Sequence, residues 1–205
     1  MKRFVHEWGI FILIISLIVV SRLFFWSLVE VSGHSMDPTL ADRERLVVLR
    51  HTAIHRFDIV VAKEPDKDIV KRVIGLPGDT ISYKNDLLII NGKKYSEPYL
   101  RNFQNELSEH TLANTYAKYP LTKSLSVTDR KNFELLARKT EKFTEKNNQT
   151  SFTVKVPVGE YFLLGDNRVI SLDSRSVGDF NRNEILGVAK VRIWPITQLK
   201  IFGKI

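Results

Sequence analysis

The chain has 205 residues, 43% of them hydrophobic and 26% charged, which is enough for one ordinary domain with a hydrophobic core. It contains no cysteine, which excludes a disulfide scaffold, thiolate zinc sites and cysteine catalysis. The formal net charge of +8 is spread along the chain without a basic run interleaved with aromatic residues. This distribution favours attraction to anionic lipid, or a soluble cationic surface, over nucleic-acid binding.

An uncharged apolar run occupies residues 8 to 21 and, if Arg22 reaches the membrane interface, continues to Val29. Its length predicts a membrane-spanning anchor over residues 1–28. Two basic residues precede the run, so the positive-inside tendency predicts a cytoplasmic N-terminus and an extracellular remainder. A cleavable signal peptide is the alternative, but no small-x-small site ends the run.

Short segments rich in β-branched residues follow the apolar run and predict strands. They are LVEV at 28–31, LVVL at 46–49, DIVVA at 58–62, DIVKRVIG from residue 68, SFTVKVPVGEYFLL at 151–164 and GVAKVRIWPI at 187–196. Asn91-Gly92 separates two strand-like halves and predicts a hairpin. The predicted fold is mainly β, a largely antiparallel, barrel-like domain formed by residues 29–96 and 151–205.

Residues 97–150 are polar and rich in lysine, which predicts a variable insertion in the β domain. Apolar residues recur there at helical spacing and predict one amphipathic helix. They are Phe133, Leu136, Ala137, Thr140 and Phe143. We interpret the lysines as a solvated face and leave open whether the insertion contacts the translocation machinery.

Ser35 lies in VEVSGHSMDPTL, just past the apolar run. A serine hydroxyl is a weak nucleophile until a base takes its proton. In an extended segment neighbouring side chains point to opposite faces, which would direct His34 away from Ser35. His51 and His55 flank a loop without a convincing carboxylate partner, so nothing in the sequence points to a Ser-His-Asp triad, although it stays open.

A lysine can act as the base when its amine is neutral, which requires burial because an apolar environment disfavours the charged form. Most lysines of this chain look solvated, whereas Lys71 interrupts the strand-like IVKRVIGL. Alternation along a strand sends Lys71 and Arg72 to opposite faces. Composition alone leaves an outward-facing Lys71 as the alternative.

Four segments follow one another behind the apolar run: SGHSMDPTL, RFDIVVA, VKRVIGLPGD and GDNRVISLDSRSVG. Together they resemble the sequence boxes of type I signal peptidases, the membrane-bound serine endopeptidases that remove signal peptides from exported proteins. The single anchor and the small size resemble the Gram-positive bacterial branch. The resemblance covers the anchor and most of the β domain and leaves residues 97–150 unmatched.

The resemblance implies that Ser35 is the nucleophile and Lys71 the general base, with Ser171 orienting the lysine amine. An ordinary turn serine is the alternative for Ser171. The resemblance also implies an oxyanion hole at the backbone N–H of Ser35. Some members add a hydroxyl donor one residue earlier, where this chain has His34, and the imidazole replaces that donor only if its N–H turns inward.

Charged positions of the family boxes recur in this chain, and the resemblance implies that they form structural ion pairs. The pairs are Arg72 with Asp166 and Asp173 with Arg175. Gly33 has a backbone role in a tight turn. Met36 either lines the membrane-facing side of the cleft or fills the core.

The implied reaction is cleavage of an extended signal peptide bound by strand addition, after a small-x-small motif. It needs no metal or cofactor, and no metal-ligand cluster is apparent in the sequence. The predicted partners are signal peptides of secreted preproteins and the lipid bilayer, with no nucleic acid. Two other classes stay open: a self-cleaving repressor-type Ser/Lys protease, and a membrane-tethered binding or scaffold module with an inactive dyad.

Overall fold

A computed structural model describes residues 2–111, 127–139 and 142–203. The helices are α1 (Lys2–Phe24), α2 (Arg101–Ser108), α3 (Val127–Lys139) and α4 (Ser174–Val177). The strands are β1 (Trp26–Glu30), β2 (Arg45–Leu49), β3 (Ile59–Lys63), β4 (Asp68–Gly75), β5 (Thr80–Lys84), β6 (Leu87–Ile90), β7 (Lys93–Tyr95), β8 (Ser151–Lys155), β9 (Glu160–Leu164), β10 (Phe180–Asn181), β11 (Ile185–Trp194) and β12 (Lys200–Ile201). The predicted mainly β, antiparallel fold is confirmed.

The larger sheet has the strand order β1-β2-β11-β3-β4-β9-β10, with β12 paired to β11. Strand β4 lies inside this sheet, where Lys71 is opposite Val60 on β3 and Arg72 is opposite Leu164 on β9. Both faces of β4 are covered, so Lys71 and Arg72 are each only 3% exposed although they point to opposite sides. The alternative of a solvent-facing Lys71 is therefore wrong.

The smaller sheet has the order β7-β6-β5-β8. Asn91 and Gly92 connect β6 to β7 with φ angles of 50° and 79°, the left-handed conformation that a tight hairpin turn requires, and the predicted hairpin is confirmed. The segment 151–164 forms two strands in different sheets, because Pro157 and Gly159 interrupt it between β8 and β9.

A shared apolar cluster joins the two sheets. Its buried members are Ile74, Ile81, Tyr83, Leu88, Ile90, Val156, Phe162 and Leu164. All except Val156, which directly follows β8, come from β4 and β9 of the larger sheet and from β5 and β6 of the smaller one. Burial of this apolar area is the main force that keeps the two sheets together.

The helix predicted from the spacing of residues 133, 136 and 137 is confirmed as α3, whereas α2 is a second helix in the segment 97–150 that the sequence did not predict. Helix α2 buries Phe103 and Leu107 in a cluster that includes Phe143, which lies beyond α3 and not on its apolar face. Leu136 lies on α3 and is half exposed. Thr140 and the side chains of residues 133 and 137 lie outside the described part.

Helix α1 leads directly into β1, and its C-terminal end contacts the β domain. Trp26 Nε1 donates a 3.0 Å hydrogen bond to Ser21 Oγ, and Arg50 donates to the Leu23 carbonyl. Among the described residues, no helix combines the length and the apolar character needed to cross a membrane. The anchor predicted for residues 1–28 stays a prediction.

Candidate active site

The Ser35 hydroxyl and the Lys71 amine form a hydrogen bond of 2.8 Å between Oγ and Nζ. Lys71 is held in the interior of the larger sheet by β4, whereas Ser35 lies in a turn that follows β1. The expectation that Ser35 and its neighbour His34 lie in an extended segment is therefore wrong. The fold brings a hydroxyl and an amine from distant parts of the sequence to the distance that proton transfer requires.

Burial lowers the pKa of Lys71 from 10.5 to about 8, because removal from water disfavours the ammonium form. The Asp173 and Glu64 carboxylates act in the opposite direction, and Lys67 and Arg175 add to the lowering. The balance leaves a large neutral fraction of the amine near pH 8. A neutral amine with a serine hydroxyl within hydrogen-bonding distance can serve as a general base.

A groove of about 620 Å³ lies beside the two side chains. Its lining comes from β1, from the segment Ser32 to Ser35, from Glu64 and Lys67 between β3 and β4, from β4 and from the loop at 170–172. Met36 is not among the lining residues and is 1% exposed in the core cluster with Leu40 and Leu46. Of the two roles left open for Met36, the structure supports core packing.

The loop 165–173 contacts the backbone around Ser35. The Asn167 N–H donates to the Ser35 carbonyl at 3.0 Å, and Asn167 Nδ2 donates to the His34 carbonyl at 3.2 Å. A Cβ at position 165 would lie 2.5 Å from the Ser35 carbonyl oxygen, so only glycine fits there. Sequence reasoning did not single out Gly165 or Asn167, although both belong to the box GDNRVISLDSRSVG.

Ser171 lies on the other side of Gly165, where an added Cβ would be 2.1 Å from its hydroxyl oxygen. Burial raises the pKa of Asp173, but Arg175, the Gly165 N–H and, with the smallest effect, the Ser171 hydroxyl together lower it below its ordinary value. Among the described residues, no hydrogen bond joins Ser171 to Lys71. The orienting role of Ser171 stays a prediction.

Two ion pairs hold the loop 165–173. Arg72 donates to both carboxylate oxygens of Asp166 at 2.8 and 2.6 Å, and its guanidinium lies 3.8 Å from the centre of the Tyr99 ring. Arg175 likewise donates to both oxygens of Asp173, at 2.8 and 2.9 Å. Such two-point pairs fix the orientation of both side chains.

A third pair was not foreseen from the sequence. Arg168 is fully buried and donates to Glu97, which comes from the segment after β7. Their separation of 71 positions left no local signal in the sequence.

His34 and Gly33 complete the turn at Ser35. The Nδ1 atom of His34 lies 3.0 Å from Oδ2 of Asp37. Gly33 has a φ of 85°, and its N–H donates to Asp42 Oδ1 at 2.8 Å, which accounts for a glycine in this tight turn. His55 Nδ1 lies 3.4 Å from Asp58, so the expectation that this histidine lacks a carboxylate neighbour is wrong.

A family model described as signal peptidase, peptidase S26, matches residues 5–194. This chain belongs to that peptidase family. This chain is 52% identical to signal peptidase I of Streptococcus pneumoniae serotype 4 over 98% of both chains. It is 38% identical to signal peptidase I of Bacillus caldolyticus over 94% of this chain and 92% of that protein. The family resemblance read from the four boxes is confirmed, and the chain is a hydrolase.

Among solved structures, the S26 peptidase is similar to a signal peptidase I from Enterococcus faecalis V583. The two are 31% identical, and the match covers 67% of this chain and 97% of that one with a TM-score of 0.45.

Proposed function

We propose that this chain is a serine endopeptidase that removes N-terminal signal peptides from exported preproteins. The observation that carries the proposal is the 2.8 Å hydrogen bond between Ser35 and the buried Lys71 in a chain of the signal peptidase family. Ser35 is the nucleophile and Lys71 the general base. A scaffold module with an inactive dyad would not need, beside the serine hydroxyl, a lysine whose pKa is lowered to about 8.

In the acylation step, Ser35 Oγ attacks the scissile carbonyl as Lys71 Nζ takes the hydroxyl proton. The oxyanion that forms is stabilised by the backbone N–H of Ser35. The Lys71 ammonium then gives its proton to the departing amine as the peptide bond breaks. In deacylation the neutral amine takes a proton from water, which attacks the acyl ester, and the proton returns to Ser35 Oγ.

The groove beside Ser35 suits an extended peptide. Residues one and three positions before the cut point to the same side of an extended chain, so both meet the same wall. We expect small side chains there, which gives the small-x-small preference. The residues that line the groove include the apolar Ile69, Val70 and Ile170, which favour contact with a short apolar segment.

We divide the chain into an anchor at 1–28, a catalytic β domain at 29–96 and 151–205, and an insertion at 97–150. Large apolar side chains of α1 are about half exposed or more, and support an anchor that lies in a lipid bilayer. They include Trp8, Ile10, Phe11, Leu13, Leu17, Ile18 and Leu23. Ser35 follows this helix closely, so the proposed site lies at the outer membrane surface, with the N-terminus cytoplasmic and the catalytic domain extracellular.

The test is cleavage of a preprotein by the full chain in detergent micelles. Ser35→Ala and Lys71→Arg should each lower kcat by roughly 10⁴- to 10⁶-fold, because one removes the nucleophile and the other replaces the base by a group that stays protonated. Ser82→Ala is the matched control, since its hydroxyl pairs with Thr153 in the smaller sheet. Unchanged cleavage by Ser35→Ala would contradict the proposal, and an inactive wild type would favour the scaffold module.

A further inference from the structure

Arg168 is the centre of a buried polar network beside the active-site loop. Its guanidinium is fully enclosed and donates to the Glu97 carboxylate, to Tyr83 Oη at 2.9 Å and to Thr144 Oγ1 at 3.2 Å. Glu97 also accepts hydrogen bonds from Tyr99 at 2.6 Å and from Tyr83 at 3.1 Å. The cation and the anion are therefore held from several sides.

The network reaches the loop 165–173 beside Ser35 through the Nε–H of Arg168. Nε of Arg168 donates to the Gly165 carbonyl at 2.9 Å, and the Arg168 carbonyl accepts from Arg175 Nη2 at 2.8 Å. The Gly165 N–H in turn donates to Asp173 at 3.1 Å. Both polar groups of the Gly165 backbone are thus fixed by buried charged side chains.

Gly165 lies at the point where the loop meets the nucleophile. An added Cβ there would be 2.5 Å from the Ser35 carbonyl oxygen and 2.1 Å from Ser171 Oγ. Two residues later, the Asn167 N–H holds the same Ser35 carbonyl. A shift of Gly165 would therefore shift the backbone of Ser35 relative to Lys71.

On the basis of the proposed function, we propose that Glu97 and Arg168 are a positioning pair that sets the distance between the Ser35 hydroxyl and the Lys71 amine. The guanidinium is a rigid planar fork, and Glu97 fixes its orientation while Nε holds the Gly165 carbonyl. Displacement of a reacting group by about 1 Å can lower a rate by roughly 100-fold. Glu97 belongs to the segment that the family boxes do not cover, so this part of the chain contributes to the active site.

A purely structural role makes a different prediction. Replacing both members of a buried ion pair by apolar residues is often neutral or stabilising, whereas removing one member leaves an unpaired buried charge. A double variant that removes both charges can therefore retain the fold and still lose the hydrogen bond that Arg168 Nε donates to the Gly165 carbonyl. The double variant would then have a lower kcat without a matching loss of stability.

The experiment compares Glu97→Leu/Arg168→Met with wild type and Ser35→Ala in the micelle cleavage assay, well below the measured Tm of each variant. We expect the double variant to lower kcat by about tenfold to 100-fold with KM within about twofold of wild type. The control is Glu44→Leu/Arg192→Met, because Arg192 donates to both oxygens of Glu44 at 2.9 Å in a partly buried pair. The control is expected to change Tm and leave kcat within about twofold.

Arg168→Lys is the second variant, since it keeps a cation for Glu97 but loses the fork that holds Gly165. It should also lower kcat, and it supplies the answer if the double variant fails to fold. Wild-type kcat in either folded variant overturns the positioning pair, as does a change confined to KM. Cleavage by Ser35→Ala, or none by wild type, would instead contradict the proposed function.

Discussion

The Lys71 amine lies 2.8 Å from the Ser35 hydroxyl although the two groups come from structurally different elements. Strand β4 buries the lysine in the larger sheet, and a turn stabilised by Asn167 presents the serine. The sheet thus supplies the environment that lowers the pKa of the base, and the loop supplies the position of the nucleophile. The two contributions can be tested separately.

The pH dependence of cleavage should follow the Lys71 amine. Its pKa is lowered to about 8, and only the neutral form accepts the Ser35 proton. We therefore expect kcat/KM to increase with pH through a midpoint of about 8 and to level off above it, measured between pH 6 and 10 in micelles. A rate that falls over this range would be incompatible with an amine base.

Lys71→Met should stabilise the protein while it abolishes cleavage. Because burial lowers the pKa of Lys71, the unfolded chain binds the proton more tightly than the folded one, and stability rises with pH between about 8 and 10.5. Below pH 8 the buried lysine costs about 3 kcal/mol on this account. We expect the variant to be more stable by about 1–3 kcal/mol at pH 7 and by less at pH 10.

Thermal unfolding in detergent micelles at the two pH values measures this difference. Lys84→Met is the control, since it removes an exposed lysine on β5 and leaves the buried Lys71 in place. A Lys71→Met variant less stable than wild type at pH 7 would indicate that the ammonium is well compensated in the folded state.

Asp166→Leu should destabilise the fold more than removal of the whole Arg72–Asp166 pair. The single variant leaves a guanidinium that is 3% exposed without its carboxylate, which costs about 3–5 kcal/mol. The double variant Arg72→Met/Asp166→Leu should lose less than the single one, because no buried charge remains. Denaturant unfolding of wild type and the two variants tests this order, and a double variant less stable than Asp166→Leu would argue against a coupled pair.

Gly165→Ala should lower both activity and stability. The added methyl group would meet the Ser35 carbonyl at 2.5 Å and Ser171 Oγ at 2.1 Å, so the backbone must shift at the nucleophile. We expect kcat to fall by about 100-fold or more. Gly203→Ala is the control, because an added Cβ there meets nothing within 4 Å. Wild-type cleavage by Gly165→Ala would show that the loop tolerates movement.

Local patterns in the sequence predicted the local structure well. The β-branched runs at 46–49 and 58–62 correspond to β2 and β3. Asn91-Gly92 forms the expected turn because asparagine and glycine adopt the positive φ angles that this turn requires. Helix α2 was missed because its apolar residues Phe103 and Leu107 are too few to stand out in a polar segment. Its stability comes from tertiary packing against Phe143.

The candidate site was predictable only in part. The four boxes pointed to Ser35 and Lys71, but burial of Lys71 depends on the position of β4 between β3 and β9, which long-range pairing sets. The pairing of Glu97 with Arg168 depends on the packing of α2 and its preceding turn onto the loop, which no local pattern encodes. Long-range contacts decide both features.

Titration of the Lys71 amine by heteronuclear NMR would show directly whether this amine is neutral enough to be the base for Ser35. The full chain would carry ¹⁵N-labelled lysine in micelles, and the Lys71 signal would be assigned by its loss in Lys71→Met. A midpoint of about 8 is the predicted result, since burial lowers the pKa of this amine. A midpoint near the ordinary value of 10.5 would contradict a lysine base for Ser35.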